Sequence, residues 1–501
     1  MQESSSQSRP QAQSADRPGP AKYQDASGKR IPLPIEIWDG LHPTARALIL
    51  ALEARIEALE ERLRTNSTNS SKPPSSDPPG TRRKRKPGSR RRRGGQKGHE
   101  GHFRELLPAE KVDHFVDHFP SNCERCGITL DPTPDEDPIL HQVSELPPIR
   151  IEVTEHRRHR VECPCCFYVS TAPHPEGVPT GVVGPRLMAI DALMTGRFRM
   201  SRRDCELFNT LVFGMTWSLG TVRRVETTVS EALAPAVDEA ARAIQASPVV
   251  GMDETPWKED NKKHYVWIAN TPDLAVYKVA PRRDTETAKE IIGEDFEGVL
   301  ETDRFASYDF QDNKKRQHCL AHLDRDFEKI AQRGGDSCPV GEWARKELAN
   351  TFSLWHQFDA GEIDRGQMQD KLKPIRARLG RCLHQGARLL DVEDQTEQHM
   401  KTARTCTKIL SKFACLWVFA YVEGVEPTNN SSERGIRGAV RWRRVSFGSQ
   451  SGAGSRFVER ILTTVESCRR QGRNVLDFVV AAVKAKLDGT QGPSLLPAPH
   501  G

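Results

Sequence analysis

Between Pro248 and Asp303 the residues follow a strand-like pattern, and this stretch constrains the fold more than any other. SPVVGMDETPW holds a short apolar run that ends in acid. KKHYVWIANT and LAVYKVAP are rich in β-branched and aromatic residues and are bounded by turn formers. DTETAKEIIGEDF reads as a helix beginning near Asp284, and FEGVLETDRFASYDF as a strand followed by a loop. Three strands, a helix and a further strand make an α/β or α+β sheet. Residues 318–420 then read as helical. After them come VEPTNNSSERGIRGAVRWRRVSFGS, a Gly-rich loop and two closing helices. A chain of 501 residues is expected to divide into several domains.

The N-terminal third carries different signals. Residues 1–30, rich in Ser, Gln and Pro, bury too little apolar surface to offset ordering entropy and are expected to be disordered. They lack the apolar core of a secretory signal, and no window of eighteen apolar residues suggests a membrane span. Ala45, Ile49, Leu52, Ile56, Leu59 and Leu63 recur at spacings of four and three, an a/d seam of about three heptads. Such a helix dimerises as a coiled coil or packs on its own body. A cluster of prolines and turn formers follows.

Net charge is +6, but its distribution matters more. Arg82, Arg83, Lys84, Arg85, Lys86, Arg90, Arg91, Arg92, Arg93 and Lys97 fall within sixteen residues that hold no acid. Without them, 64 basic residues face 68 acidic ones. A Gly- and Pro-containing cationic arm on a slightly acidic body suits a polyanion, held by counterion release without sequence preference. A solvated linker is the alternative.

Four of twelve cysteines form a pattern: Cys123-x-x-Cys126 and Cys163-x-x-Cys166. Two such knuckles can surround one tetrahedral zinc, and four thiolates leave no open position for water, so the ion would be structural. The spacer of 36 residues is long, and Cys165 competes with Cys166. His99, His102, His114 and His118 are further candidates nearby. Next, SRRDCELFNTLVFGMTWSLGTVRRVETTV reads as helix, turn at Gly214, helix. Arg223 and Arg224 lie where a helix-turn-helix would meet DNA.

Three carboxylates stand at chemically suggestive places. Asp253 ends one strand-like run, Asp303 ends another, and Glu433 opens a helix-like segment. Acids at neighbouring strand ends, joined by one from a packing helix, can hold two divalent ions for in-line phosphodiester displacement. Magnesium suits them, or manganese in its place. Singly, each is a common turn, capping or ion-pair residue. Glu254 would point to the opposite face of its strand. Asp309 and Asp324 read as loop and helix residues, and Cys319-x-x-His322 as a helix start or a second metal site. Asn429 and Asn430 would shape the opening of the Glu433 helix. Arg437, four residues after Glu433, would pair with it or face phosphate; Arg441, Arg443 and Arg444 add a basic strip for a DNA backbone. Trp257 and Trp442 suit burial, or stacking on a base.

Taken in order, GMDETPW, LETDRFASYDF, HCLAHLDRDF, NNSSERGIR and RRVSFGSQSGA resemble the sixty-six-type insertion-sequence transposases, a bacterial DDE family. The heptad helix with NSSKPPSSD resembles that family's leucine zipper, and GGQKGHEGH with the knuckles its zinc-binding domain. The resemblance spans about 41 to 488. It implies an RNase H-like mixed sheet with a helical insertion, a multidomain α/β (α+β) chain, and Asp253, Asp303 and Glu433 as the DDE triad. The family's Asp-Gly-Tyr is Asp303-Arg304-Phe305 here, which keeps the acid and alters the turn.

The implied plan is a disordered 1–40, a coiled-coil helix at 41–66, a basic linker at 67–108 and a zinc-binding domain at 109–178. A helical region at 179–247 follows, then the catalytic domain at 248–445, its insertion at about 320–422, and a C-terminal helical region at 446–501. The implied activity is metal-dependent cleavage at element ends followed by strand transfer into target DNA. It needs two Mg²⁺ or Mn²⁺ and one structural Zn²⁺, in a cytoplasmic, nucleoid-associated bacterial protein. Its partners would be element ends, target DNA, further copies of the chain and helper proteins of the same element, with no membrane. Two rivals remain: a catalytically silent zinc-containing DNA-binding regulator, and an RNase H-like nuclease without strand transfer.

Overall fold

The computed structural model describes residues 23–24, 30–31, 35–64, 105–392 and 395–497, and the elements below are those found among them. The basic arm from Arg82 to Lys97, His99, His102 and the side chains of Leu59 and Leu63 lie outside these residues. The chain forms two compact units, Met1–Lys86 and Pro87–Gly501.

In the first unit, β1 (Tyr23–Gln24) pairs antiparallel with β2 (Arg30–Ile31). A short α1 (Ile35–Gly40) leads into α2 (Pro43–Arg64), the heptad helix. Trp38 is buried, and the Arg46 guanidinium lies 6.0 Å from its ring. Leu52 and Ile56 of the seam are 51% and 57% exposed, so this part of the seam is not packed on its own unit.

In the second unit, residues 105–175 carry little regular structure. β3 (Arg160–Glu162) pairs antiparallel with β4 (Val169–Thr171) around the second cysteine knuckle. Three helices follow: α3 (Pro185–Gly196), α4 (Arg202–Phe213) and α5 (Leu219–Gln245). Ser201 and Asp204 form a capping box at the start of α4, and Gly214 ends it at φ +66°, as the turn expected there requires. Arg223 and Arg224 lie on the exposed side of α5.

A mixed five-stranded sheet follows, in the order β7-β6-β5-β8-β9. Its strands are β5 (Val249–Glu259), β6 (Lys262–Asn270), β7 (Ala275–Ala280), β8 (Val299–Thr302) and β9 (Arg316–His318). α6 (Thr285–Ile292) connects β7 to β8, with Asp284 as its N-cap. β5, β6 and β7 are antiparallel neighbours, whereas β8 and β9 run parallel to β5. β9 was absent from the sequence reading because Arg-Gln-His shows no apolar pattern. All three are buried; Gln317 donates to the His318 carbonyl at 2.8 Å and accepts from Phe419 N–H at 3.0 Å, whereas the His318 Nε2 has no hydrogen-bond partner.

The insertion comprises α7 (Leu320–Ala331), α8 (Ser337–Asp359), α9 (Arg365–Ala387), α10 (Glu397–Leu410) and α11 (Val418–Tyr421). These helices enclose their own apolar core, which includes Phe327, Leu379 and Phe419. The chain then returns through α12 (Asn430–Ser446), α13 (Gly452–Arg470) and α14 (Val475–Leu487).

The helices before and after the sheet are not separate bodies, in contrast to the expected division at 247 and 445. One core joins Leu233 of α5, Trp267 of β6, Ile461 of α13 and Val479 of α14. The edge strand β7 shows why α13 belongs to the sheet. Its outward N–H groups at Ala275, Tyr277 and Val279 donate to Ser467, Thr463 and Glu459, at 3.1, 3.0 and 2.7 Å. Acceptors four residues apart on one helix face meet donors two apart on a strand, so the open edge is capped by side chains.

One buried acid among the helices carries a stability cost. Asp191 is 1% exposed and accepts from Asn209 Nδ2 at 2.8 Å, while its Oδ2 and Asn209 Oδ1 have no hydrogen-bond partner. Burial, with a smaller contribution from Glu226, raises its carboxyl from 3.8 to about 6. The folded state therefore holds a proton more tightly than the unfolded state. Stability falls as pH rises from about 4 through 6, by about 3 kcal/mol in all. Asp191→Asn should raise the urea midpoint at pH 7 and leave it nearly unchanged at pH 4; an equal shift at both would refute this cause.

Candidate active site

The sheet register brings two of the three acids abreast. Gly251 of β5 pairs with Glu301 of β8 in a parallel ladder; two residues on lie Asp253, within β5, and Asp303, just past the end of β8. Odd-numbered β5 residues face α12. A Cβ on Gly251 would lie 2.5 Å from Ser432 Oγ, Thr255 Oγ1 accepts from Arg443 at 3.1 Å, and Trp257 packs edge-on against Trp442. The close approach at Gly251 seats the start of α12, and so Glu433, beside β5. Asn429 fixes this seat by donating to the Met252 carbonyl at 2.6 Å, and Asn270 adds a bond to Ser431 at 3.1 Å. Asn429 is thus the N-cap by position, but its side chain joins the sheet instead of capping.

Asp253 is perturbed by its surroundings. Burial, then the charges of Glu254 and Asp303 and a smaller one of Glu433, hold the Asp253 carboxyl well above its ordinary range. Asp303 Oδ1 accepts from Phe305 N–H at 2.8 Å, so the Asp-Arg-Phe variant still makes a tight Asx turn. Arg304 pairs with Asp326 on α7, and the Arg283 guanidinium lies 3.6 Å from the Phe305 ring. Glu254 points to the other face, bound by Arg283 at 2.6 Å and by Tyr308.

Glu433 meets α7 instead of Arg437. His322 Nδ1 lies 3.3 Å and Arg325 3.6 Å from its Oε1, while Arg437 is exposed. Glu433 Oε1 and His322 Nδ1 are buried without a well-formed hydrogen bond. Burial and the Arg325 cation push His322 down, against the pull of Glu433, Asp303 and Asp326. α7 is itself tied to the α12 approach, because Leu320 N–H donates to the Pro427 carbonyl at 2.9 Å. Cys319, His322 and Glu433 each offer a ligand atom within 4.8 Å of the others, the one such trio among the described residues.

Arg316 on β9 organises the Asp303 loop. Its side chain is 1% exposed and donates to Thr302 Oγ1 at 3.0 Å, to the carbonyls of Asp303 and Phe305 at 3.0 and 2.9 Å, and to Asp309. Arg316 and Arg325 were not legible in the sequence; for Arg325 the three-residue recurrence of Cys319, the α7 N-cap, with His322 and Arg325 was the available signal. Asp309 and Asp324 are ion-pair residues, with Arg316 and Arg345 respectively. Arg443 is half-buried and donates to the Pro256 carbonyl at 2.6 Å. Arg441 and Arg444 are exposed. Trp257 and Trp442 are buried packing residues.

The two cysteine knuckles share one geometry. Gly127 N–H donates to the Cys123 carbonyl at 2.8 Å with Gly127 at φ +76°; Phe167 N–H donates to Cys163 at 2.9 Å with Phe167 at φ +57°. Backbone N–H groups of Cys126 and Arg125 lower the Cys123 thiol, and those of Cys166 and Cys165 lower Cys163. Cys165 thus occupies the place of Arg125, which favours Cys166 as the second ligand. Each pair fits half a zinc shell, as the lowered thiols suit metal-bound thiolate. The two pairs do not share one coordination sphere among the described residues. The segment between them is almost wholly exposed and has no core to bring them together.

The comparisons agree with this architecture. Residues 34–105 match a family of unknown function. No curated protein matches the chain. Residues 184–456, more than half of the chain, match the Transposase IS66 family, and the match covers β5 to β9, the insertion and α12. The chain belongs to the IS66 family of transposases.

Proposed function

We propose that the protein cleaves DNA at element ends and joins the freed strand to target DNA, with Asp253, Asp303 and Glu433 as the catalytic carboxylates. The observation that carries this reading is placement: β5 pairs parallel with β8, the approach at Gly251 seats Glu433 beside β5, and burial followed by the charges of Glu254, Asp303 and Glu433 raises the Asp253 carboxyl. Carboxylates at neighbouring strand ends and a helix start suit a divalent cation that draws them together, since their ligand atoms do not all lie within 4.8 Å of one another here. Two Mg²⁺ or Mn²⁺ held there supply an activated attacking oxygen and charge stabilisation at the leaving oxygen. The chain's own residues position these groups: Arg316 holds the Asp303 turn, Asn429 and Gly251 seat α12, and His322 with Arg325 steadies Glu433.

In the first step water attacks phosphorus and the bond to the 3′ oxygen breaks. In the second, the resulting 3′-hydroxyl attacks a target phosphodiester and displaces its 3′ oxygen. Neither step needs a covalent protein–DNA intermediate. The strand order, with three antiparallel strands followed by two parallel ones, supports an RNase H-like reading of the sheet. The knuckles would close on one structural zinc, the α2 seam would pair two copies, and Arg223, Arg224, Arg437, Arg441 and Arg444 would contact DNA. Neither rival accounts as well for three acids gathered at one end of the sheet within a transposase-family match. Joined products, as opposed to nicks, on a duplex carrying inverted repeats from the gene's flanks would distinguish transposition from nuclease action.

The arm from Arg82 to Lys97 makes a separate prediction. Its ten cations would neutralise phosphates, each contributing about 0.9 to the slope of log affinity against log salt. Deleting 82–97 should flatten that slope by several units without reducing cleavage at saturating DNA. An unchanged slope would leave the arm as a linker.

A further inference from the structure

Beyond the carboxylates, α12 carries a cationic stripe. Arg437, Arg441 and Arg444 follow Glu433 at intervals of four, four and three residues, so they share its helix face, and all three are exposed. Arg441 and Arg197 also act on Arg199, whose guanidinium burial and these like charges hold below its ordinary range. Cations gathered this closely suit an anionic strand.

The stripe ends at an aromatic residue in an unusual conformation. Phe447 is the C-cap of α12 at φ +60° and is 73% exposed. A left-handed conformation favours glycine, and an exposed aromatic there gains little from burial. The position is held firmly on both sides. Phe447 N–H donates to the Arg443 carbonyl at 3.0 Å, Ser449 N–H donates to Lys258 at 2.9 Å, and Asp260 N–H donates to Ser449 at 3.0 Å. A Cβ on Gly448 would lie 2.1 Å from the Lys258 carbonyl oxygen, so the backbone just after Phe447 packs directly against β5. A strained, exposed and rigidly presented aromatic at the end of a cationic track points to ligand contact.

We propose that Phe447 is a stacking platform for an unpaired base, at the far end of a phosphate track that runs along α12 from Glu433. Fourteen residues of helix rise about 21 Å. That is about six steps of a DNA strand from the reacting phosphate, at about 3.4 Å per step. Base faces stack on aromatic rings without sequence preference, and the arginines contact the intervening phosphates. The inference rests on the transposase reading above and adds to it a contact outside the carboxylate centre.

The test compares affinity of the full chain for a short duplex and for the same duplex with one unpaired adenine, by fluorescence anisotropy. Contacts made elsewhere, such as those of the basic arm, add equally to both probes and cancel in the ratio. Wild type should prefer the unpaired probe about tenfold. Phe447→Gly and Phe447→Asn should abolish the preference, while their melting temperatures equal or exceed that of wild type because strain is relieved. Phe447→Trp should retain it, and Arg441→Ala should weaken both probes alike. A preference that survives in Phe447→Gly, or is absent from wild type, would overturn the platform alone. A wild-type chain that binds neither duplex would overturn the DNA reading with it.

Discussion

Asp253→Asn, Asp303→Asn and Glu433→Gln should each reduce metal-dependent cleavage at least about a thousandfold, a barrier increase of about 4 kcal/mol. An amide preserves shape but removes the charge that would bind the cation. The variants should fold as well as wild type. Asp253→Asn should be more stable without metal, because it removes a carboxylate that is buried and lies near Glu254, Asp303 and Glu433. Loss of cleavage with an unchanged or raised melting temperature separates a chemical role from a structural one. A variant that retains near-wild-type cleavage would remove its residue from the centre.

Arg316→Ala should produce the largest loss of stability expected of a single substitution near the site. The guanidinium is buried and serves two carbonyls, one hydroxyl and one carboxylate. Truncation leaves the Asp303 and Phe305 carbonyls without this donor and opens a gap beneath the loop, a cost of about 3 kcal/mol. The Asp303 turn would loosen, so the half-saturating Mg²⁺ concentration for cleavage should also rise. Arg316→Lys keeps the charge but not the planar fork, and should fall between. Urea midpoints and metal titrations measure both effects; wild-type values for both in Arg316→Ala would contradict this assignment.

These two sites also show what the sequence could convey. β5 and β6 were legible because Val, Ile, Trp and Tyr mark half-buried strands. Parallel pairing of β5 with β8 then sets Asp253 beside Asp303. Glu433 was legible as a helix opening, but its neighbours were not. His322 and Arg325 reach it from α7, more than a hundred residues earlier in the chain, and only tertiary packing makes that contact. β9 was hidden because its buried residues are polar, Arg316 and Gln317 being held by their own side-chain hydrogen bonds, leaving no period to detect. The role of α13 was hidden for a related reason: Glu459, Thr463 and Ser467 look like an ordinary polar face until β7 lies beneath them. The cysteine knuckles were legible as pairs because each is closed by its own backbone turn.

The measurement that most directly tests the central claim is product analysis after incubating the full chain with a pre-cleaved element end and a target plasmid. The end would come from the inverted repeats flanking the gene. The account predicts joined strands that appear only with Mg²⁺ or Mn²⁺ and disappear with Asp253→Asn, Asp303→Asn or Glu433→Gln. Joined product that persists in any of the three variants, or a wild-type chain that binds the ends yet yields nicks and no joints, would contradict it.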